Sequence, residues 1–167
     1  MLLSRVADSL YWISRYLERA EHTARLVDVA VDHGLGRASS VDGSAIECLY
    51  HSVGLDVALH DASSIAGIAL LDLSNRNSVA ACITAARENA RQVREEISSV
   101  MWLQLNELFL RVKQLREEGP FDAHRLSQAV IDGVRLFHGV TEGTMGHGEG
   151  WRYLQLGRFI ERSGATA

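Results

Sequence analysis

An apolar seam runs without a break through the N-terminal part of the chain. Val6, Leu10, Ile13, Leu17, Ala20, Ala24, Val27 and Val31 recur at alternating spacings of four and three. That rhythm puts every seam residue on one stripe of an α-helix, and the stripe must be buried against other helices. Trp12 and Tyr16 widen it on one flank. The spacing predicts a helix over about Ser4 to His33, stopped by Gly34 and Gly36 and followed by a loop through Ser39-Ser40. The chain has a single proline among 167 residues, and its many Ala, Leu, Arg and Glu residues favour long helices throughout.

The same reasoning divides the rest of the chain. Asp42 or Ser44 can cap a helix to about His60, through Ile46, Leu49, Tyr50, Val53 and Val57. A short, very apolar helix is expected from Asp61 to Leu71, then a polar loop from Asp72 to Asn77. The helical pattern from Ser78 to Glu118 reads as two helices, the second capped by Ser98-Ser99 and starting near Val100, or as one helix kinked there, and Gly119-Pro120 ends it. Asp122 caps a helix to about His138, extendable to Met145. Glycines at 143, 146, 148 and 150 make an elbow before a last helix starting near Glu149, with Trp151 as its anchor. No segment alternates like a strand. The expectation is one all-α domain over residues 1–167, an up-and-down bundle of about five to seven helices stacked antiparallel, with no sheet.

Several functional classes are disfavoured by composition. The 17 basic residues are interleaved with acids and the net charge is −4, so no stripe tracks a phosphate backbone and nucleic acid is not expected as a partner. The longest apolar run, Ile65 to Leu71, falls far short of the roughly 18 residues of a membrane span. Met1-Leu2-Leu3 leads at once into Ser4-Arg5 and an amphipathic pattern, unlike a secretory signal, so the expected compartment is the cytoplasm. Cys48 and Cys82 are too few for a disulfide framework and read as free thiols on apolar helix faces.

A second feature carries more chemistry. Arg15-Tyr16-Leu17-Glu18-Arg19 returns as Arg158-Phe159-Ile160-Glu161-Arg162, and the alignment also matches Ala20 to Ser163, Thr23 to Thr166 and Ala24 to Ala167. Two related helices, at about 4–33 and 149–167, are thus expected to carry a Glu-Arg pair each. The second copy runs into the last residue with no capping glycine, which reads as a chain ending inside an element. Arg15, Glu18 and His22 share a helical surface, as do Glu21 and Arg25, and Arg158 and Glu161 repeat the three-residue spacing. Such residues beside a seam usually tie helices together as ion pairs. The alternative is a cleft in which Glu18 or Glu161 acts as a base while arginines hold a carboxylate or phosphate.

Other constellations are weaker. Arg87, Arg91 and Arg94 share one face with Glu88 and Glu95 alongside, and Asn89 and Asn106 need partners if buried, so a polar network is possible there. Glu18-x-x-Glu21-His22 and Glu47-x-x-x-His51 do not match Glu-x-x-His, and His-Glu-x-x-His is absent, so no metal site and no cofactor is expected. His33, His60, His124, His138 and His147 read as surface or loop residues. The glycines before Trp151 match no phosphate-binding spacing, and no nucleophile elbow occurs.

At these residues the chain resembles the bacterial alpha-E family, named for its Glu-Arg motif. The resemblance rests on Leu10-Tyr11-Trp12, Arg15 to Glu21 and Thr23-Ala24-Arg25, then Ala85 to Arg91, Met101-Trp102 and Leu105-Asn106. It continues through Gly143-Thr144-Met145, Glu149-Gly150-Trp151 and Leu156 to Arg162. Family chains run longer, and Gly164-Ala165 replaces a more polar or bulkier stretch. The resemblance implies partnership with ATP-grasp ligases, to which such domains are sometimes fused, in systems that also encode transglutaminase-like and proteasome-like proteins. The leading expectation is a noncatalytic helical partner of such a peptide ligase. The alternatives are an enzyme of peptide or acyl-phosphate chemistry using the Glu-Arg residues, and a purely structural bundle that self-associates as a homo-oligomer.

Overall fold

A computed structural model describes residues 2–35, 62–118 and 120–166. Among them lie six helices and no strand: α1 (Ser4–Leu35), α2 (Ala62–Leu71), α3 (Val79–Gln92), α4 (Ser99–Glu117), α5 (Ala123–Thr144) and α6 (Glu149–Thr166). The fold is all-α. The helix expected between Asp42 and His60, with Glu47, Cys48 and His51, lies outside the described residues.

The α1 seam forms the centre of the molecule. Leu10, Ile13, Leu17, Ala20, Ala24 and Val27 are wholly buried, with Val6 and Val31 partly covered at the ends. The helix continues through Gly34 to Leu35. It packs against α2, α3, α5 and α6, so its flanks are covered as well as its stripe. This is why Ser9, Ser14, Glu18, Glu21 and Thr23 are also buried, and why each needs a polar partner or carries a cost.

Local signals set the other helix ends. The Ser78 hydroxyl accepts the Ala81 N–H at 3.2 Å, that of Ser98 accepts Met101 N–H at 3.1 Å, and the Asp72 and Asn75 side chains close the turn before α3. The pattern from Ser78 to Glu118 is two helices. The first ends at Gln92 and the second starts at Ser99 behind the Ser98 cap, with Val93 and Ile97 between them turned inward to join the core. An Asp122 carboxylate oxygen accepts Arg125 N–H at 2.9 Å and starts α5, which runs on to Thr144.

Pairs of contacts fix the helix directions. Asp28 with Gln128 and Glu18 with His138 make α1 and α5 antiparallel, while Ser98 with Thr144 and Glu118 with Arg125 do the same for α4 and α5. The two Glu-Arg helices depart from the antiparallel expectation. Leu2 meets Glu149, Tyr11 meets Gly157 and Glu18 meets Arg162, so α1 and α6 run parallel. At their crossing a Cβ on Gly157 would collide with the Tyr11 carbonyl oxygen and crowd the Ser14 Cβ. Glycine at 157 is therefore what lets the two backbones approach closely enough for their charged side chains to reach across.

Candidate functional site: the paired Glu-Arg helices

Because α1 and α6 run parallel in matching register, each motif faces the other. Arg15 and Arg19 of α1 do not bond the Glu18 beside them; both reach Glu161 of α6. Arg19 Nε lies 2.7 Å from Glu161 Oε1 and its terminal nitrogen 3.2 Å from Oε2, a two-point grip on the carboxylate. Asn77 Oδ1 at 3.1 Å and the Tyr11 hydroxyl at 2.6 Å each accept one further hydrogen bond, from Arg19 and Arg15 respectively. Arg15 also sits against the Tyr11 and Trp12 rings. Burial alone would raise the Glu161 carboxyl, but hydrogen bonds from Arg19 and the charges of Arg19 and Arg15 hold it below the usual range. The hydrogen bond to Glu161 correspondingly raises Arg19.

The reverse pairing is thinner. Arg162 Nε donates to Glu18 Oε1 at 2.5 Å, and Arg158 Nε stands 3.7 Å from Oε2. Glu18 is only 5% exposed, yet its Oε2 accepts no hydrogen bond. His138 Nε2 is also 3.7 Å from that oxygen and likewise unpartnered, as is Arg158 Nε. Three buried polar atoms thus converge on one point without satisfying one another. Glu21 is tied to Arg25 one turn along α1, with Arg135 Nε 3.8 Å away.

His138 is the residue that spacing misplaced. Its α5 position puts it against Glu18, with a side chain only 12% exposed, rather than on the surface. Burial, together with the Arg158 and Arg162 charges, pushes its imidazole down to about 3, so the ring is neutral. Three other histidines have different surroundings. His22 does not bond Glu18 and is lowered by burial, His124 bonds Asp28 at 2.7 Å, and His147 stacks on Trp151 at 4.3 Å. No spacing rule on α1 alone could find the cluster, because its histidine comes from 117 positions away (138 against 21). It joins Glu18 and Glu21, with one donor atom from each all within 4.8 Å of one another.

The second candidate network divides. Arg87 Nε donates to Asn106 Oδ1 at 2.8 Å and lies over Trp102 and Phe109, joining α3 to α4. Asn89 instead caps its own helix backbone at Ala85 O, and Arg91 with Glu88 forms an exposed local pair. Cys82 is fully buried, and burial pushes its thiol up to about 12, far from a reactive thiolate.

Fold and site together define a helical protein built around two parallel helices that exchange Glu-Arg partners. A family profile described as "A predicted alpha-helical domain with a conserved ER motif" matches residues 2–167. The chain belongs to this alpha-E family. It is 25% identical over 187 aligned positions to an uncharacterised protein of Mycobacterium bovis, and equally so to one of Mycobacterium tuberculosis. Each alignment covers 95% of this chain and 21% of the relative, so the chain spans about a fifth of those proteins' length. No solved structure matches. No helix among the described residues is long and apolar enough to cross a membrane.

Proposed function

We propose that the chain is a noncatalytic helical partner of a cytoplasmic, bacterial ATP-grasp-type peptide ligase. The observation that carries this reading is the inward use of the motif charges: Arg15, Arg19, Arg162, Glu18 and Glu161 bond across the α1–α6 seam instead of lining an open cleft. The ligase as partner rests on the family resemblance. A docking surface is available on the outer side of α6, where Tyr153, Leu156, Phe159 (57% exposed) and Ile160 form an apolar strip. Co-purification with the ligase tests this. Leu156→Asp combined with Phe159→Asp changes only exposed positions and is expected to abolish association while the melting temperature stays put. Undiminished association by the variant overturns the proposed surface, and no association by the parent chain overturns the partner.

A second reading, an enzyme of peptide or acyl-phosphate chemistry, draws on the unpartnered Glu18 Oε2 beside a neutral imidazole. It predicts that Glu18→Gln abolishes turnover with little loss of stability. A third, self-association, uses the same α6 strip. It predicts a doubled mass by light scattering that the Asp variant returns to the monomer value.

A further inference from the structure

We propose that Glu18, Glu21 and His138 form a site for a single divalent transition-metal ion between α1 and α5. The three side chains come from two helices, and their donor atoms lie within 4.8 Å of one another. Glu18 is 95% buried, with Oε2 unpartnered and directed at the same point as the unpartnered His138 Nε2. A 3.7 Å separation between those two atoms suits an occupant of ionic or water size, not an organic molecule. Two carboxylates and a neutral imidazole are a donor set for a borderline metal such as zinc. Donors about 2.1 Å from a tetrahedral metal stand roughly 3.4 Å apart, so Glu18 and His138 are nearly in place and Glu21 has to close in.

The arginines decide whether this works, since a cation must tolerate them. Arg25, Arg135 and Arg162 have side chains 47%, 57% and 44% exposed, so water screens them. Arg162 stays on Glu18 Oε1 and orients the carboxylate, the part an outer partner plays in metal sites. Arg158 is different. Its Nε makes no hydrogen bond, standing 3.7 Å from Oε2, and its guanidinium lies against the Phe159 ring. It is thus the internal competitor for the oxygen a metal would take.

That competition gives the proposal a sign that adventitious binding lacks. Zinc chloride and, separately, manganese chloride are titrated calorimetrically into the full chain and into two variants, with metal-free melting curves establishing that each is folded. One zinc per chain is expected, bound more tightly than manganese. His138→Gln is expected to weaken zinc binding at least tenfold, and Arg158→Gln to tighten it severalfold with a larger zinc-induced rise in melting temperature. Unchanged affinity in His138→Gln means an adventitious ion only and overturns the site. Absence of saturable binding in folded Arg158→Gln overturns it as well.

Discussion

The two ends of the α1–α6 pairing hold the same residue types in the same order and arrive at different states. Glu161 receives Arg15 and two nitrogens of Arg19, and further side chains hold those arginines in turn. Glu18, more deeply buried, has one direct bond, and its second oxygen faces two nitrogens too distant to bond it. The difference comes from a third element. On the Glu161 side Asn77, just before α3, completes the arginine partners; on the Glu18 side α5 brings His138 into the space, and Arg158 remains outside bonding distance. An identical dipeptide is therefore a saturated fastener at one end and an adaptable site at the other, and burial alone does not rank their contributions.

The largest effect is expected where both ends can be broken together. Gly157→Ala places a methyl group against the Tyr11 carbonyl and should force the helices apart, at a cost of about 3 kcal/mol. Urea unfolding measures it; a loss below about 1 kcal/mol would mean that the close crossing is not what positions the pairs. Next come the ends separately. Glu161→Gln leaves two arginines without their shared anion, and partial exposure brings the usual buried-pair cost down to about 2–3 kcal/mol. Glu18→Gln loses one charged bond and should cost about 1 kcal/mol despite its deeper burial. The reverse order would remove the distinction between the ends.

Acid sharpens the comparison further. An unfolded histidine takes up a proton near its ordinary value of 6.5, while folded His138 refuses one until about 3. Stability is thus expected to fall as pH drops from about 6.5 towards 3, and His138→Gln should flatten that decline; half-buried His22, also lowered, contributes in the upper part of the window. Glu161 is depressed below its ordinary 4.5, so its contribution is fully present above that value and disappears as pH falls through its lower folded value. A decline confined to the region below 4.5 would place all the acid sensitivity at the Glu161 end. The smallest effect should come from Arg91→Ala, which removes an exposed pair and should leave the unfolding midpoint unchanged.

Helix content was readable because it rests on local signals. The threes and fours of the α1 seam, the capping Ser98 and Asp122, and the Gly119-Pro120 stop all act within a few residues. Antiparallel neighbours were expected and α1–α5 and α4–α5 keep that course, but the parallel course of α1 and α6 was not readable, because connections and packing set it. The Glu-Arg dipeptides stand out by their repetition, but the three-residue spacing places Arg15 beside Glu18 on its own helix. The crossing at Gly157 instead offers it Glu161. His138 was hidden for a similar reason: nothing near it in sequence marks it, and only α5 packing antiparallel on α1 delivers it to Glu18.

A double-mutant cycle on Arg19 and Glu161 tests the cross-helix fastening most directly. Unfolding free energies are measured for the parent, Arg19→Ala, Glu161→Ala and the double variant. The reciprocal pairing predicts that the second substitution costs far less once the first is made, with a coupling of about 2 kcal/mol. Losses that add to within about 0.5 kcal/mol would show that the two residues do not hold α1 and α6 together.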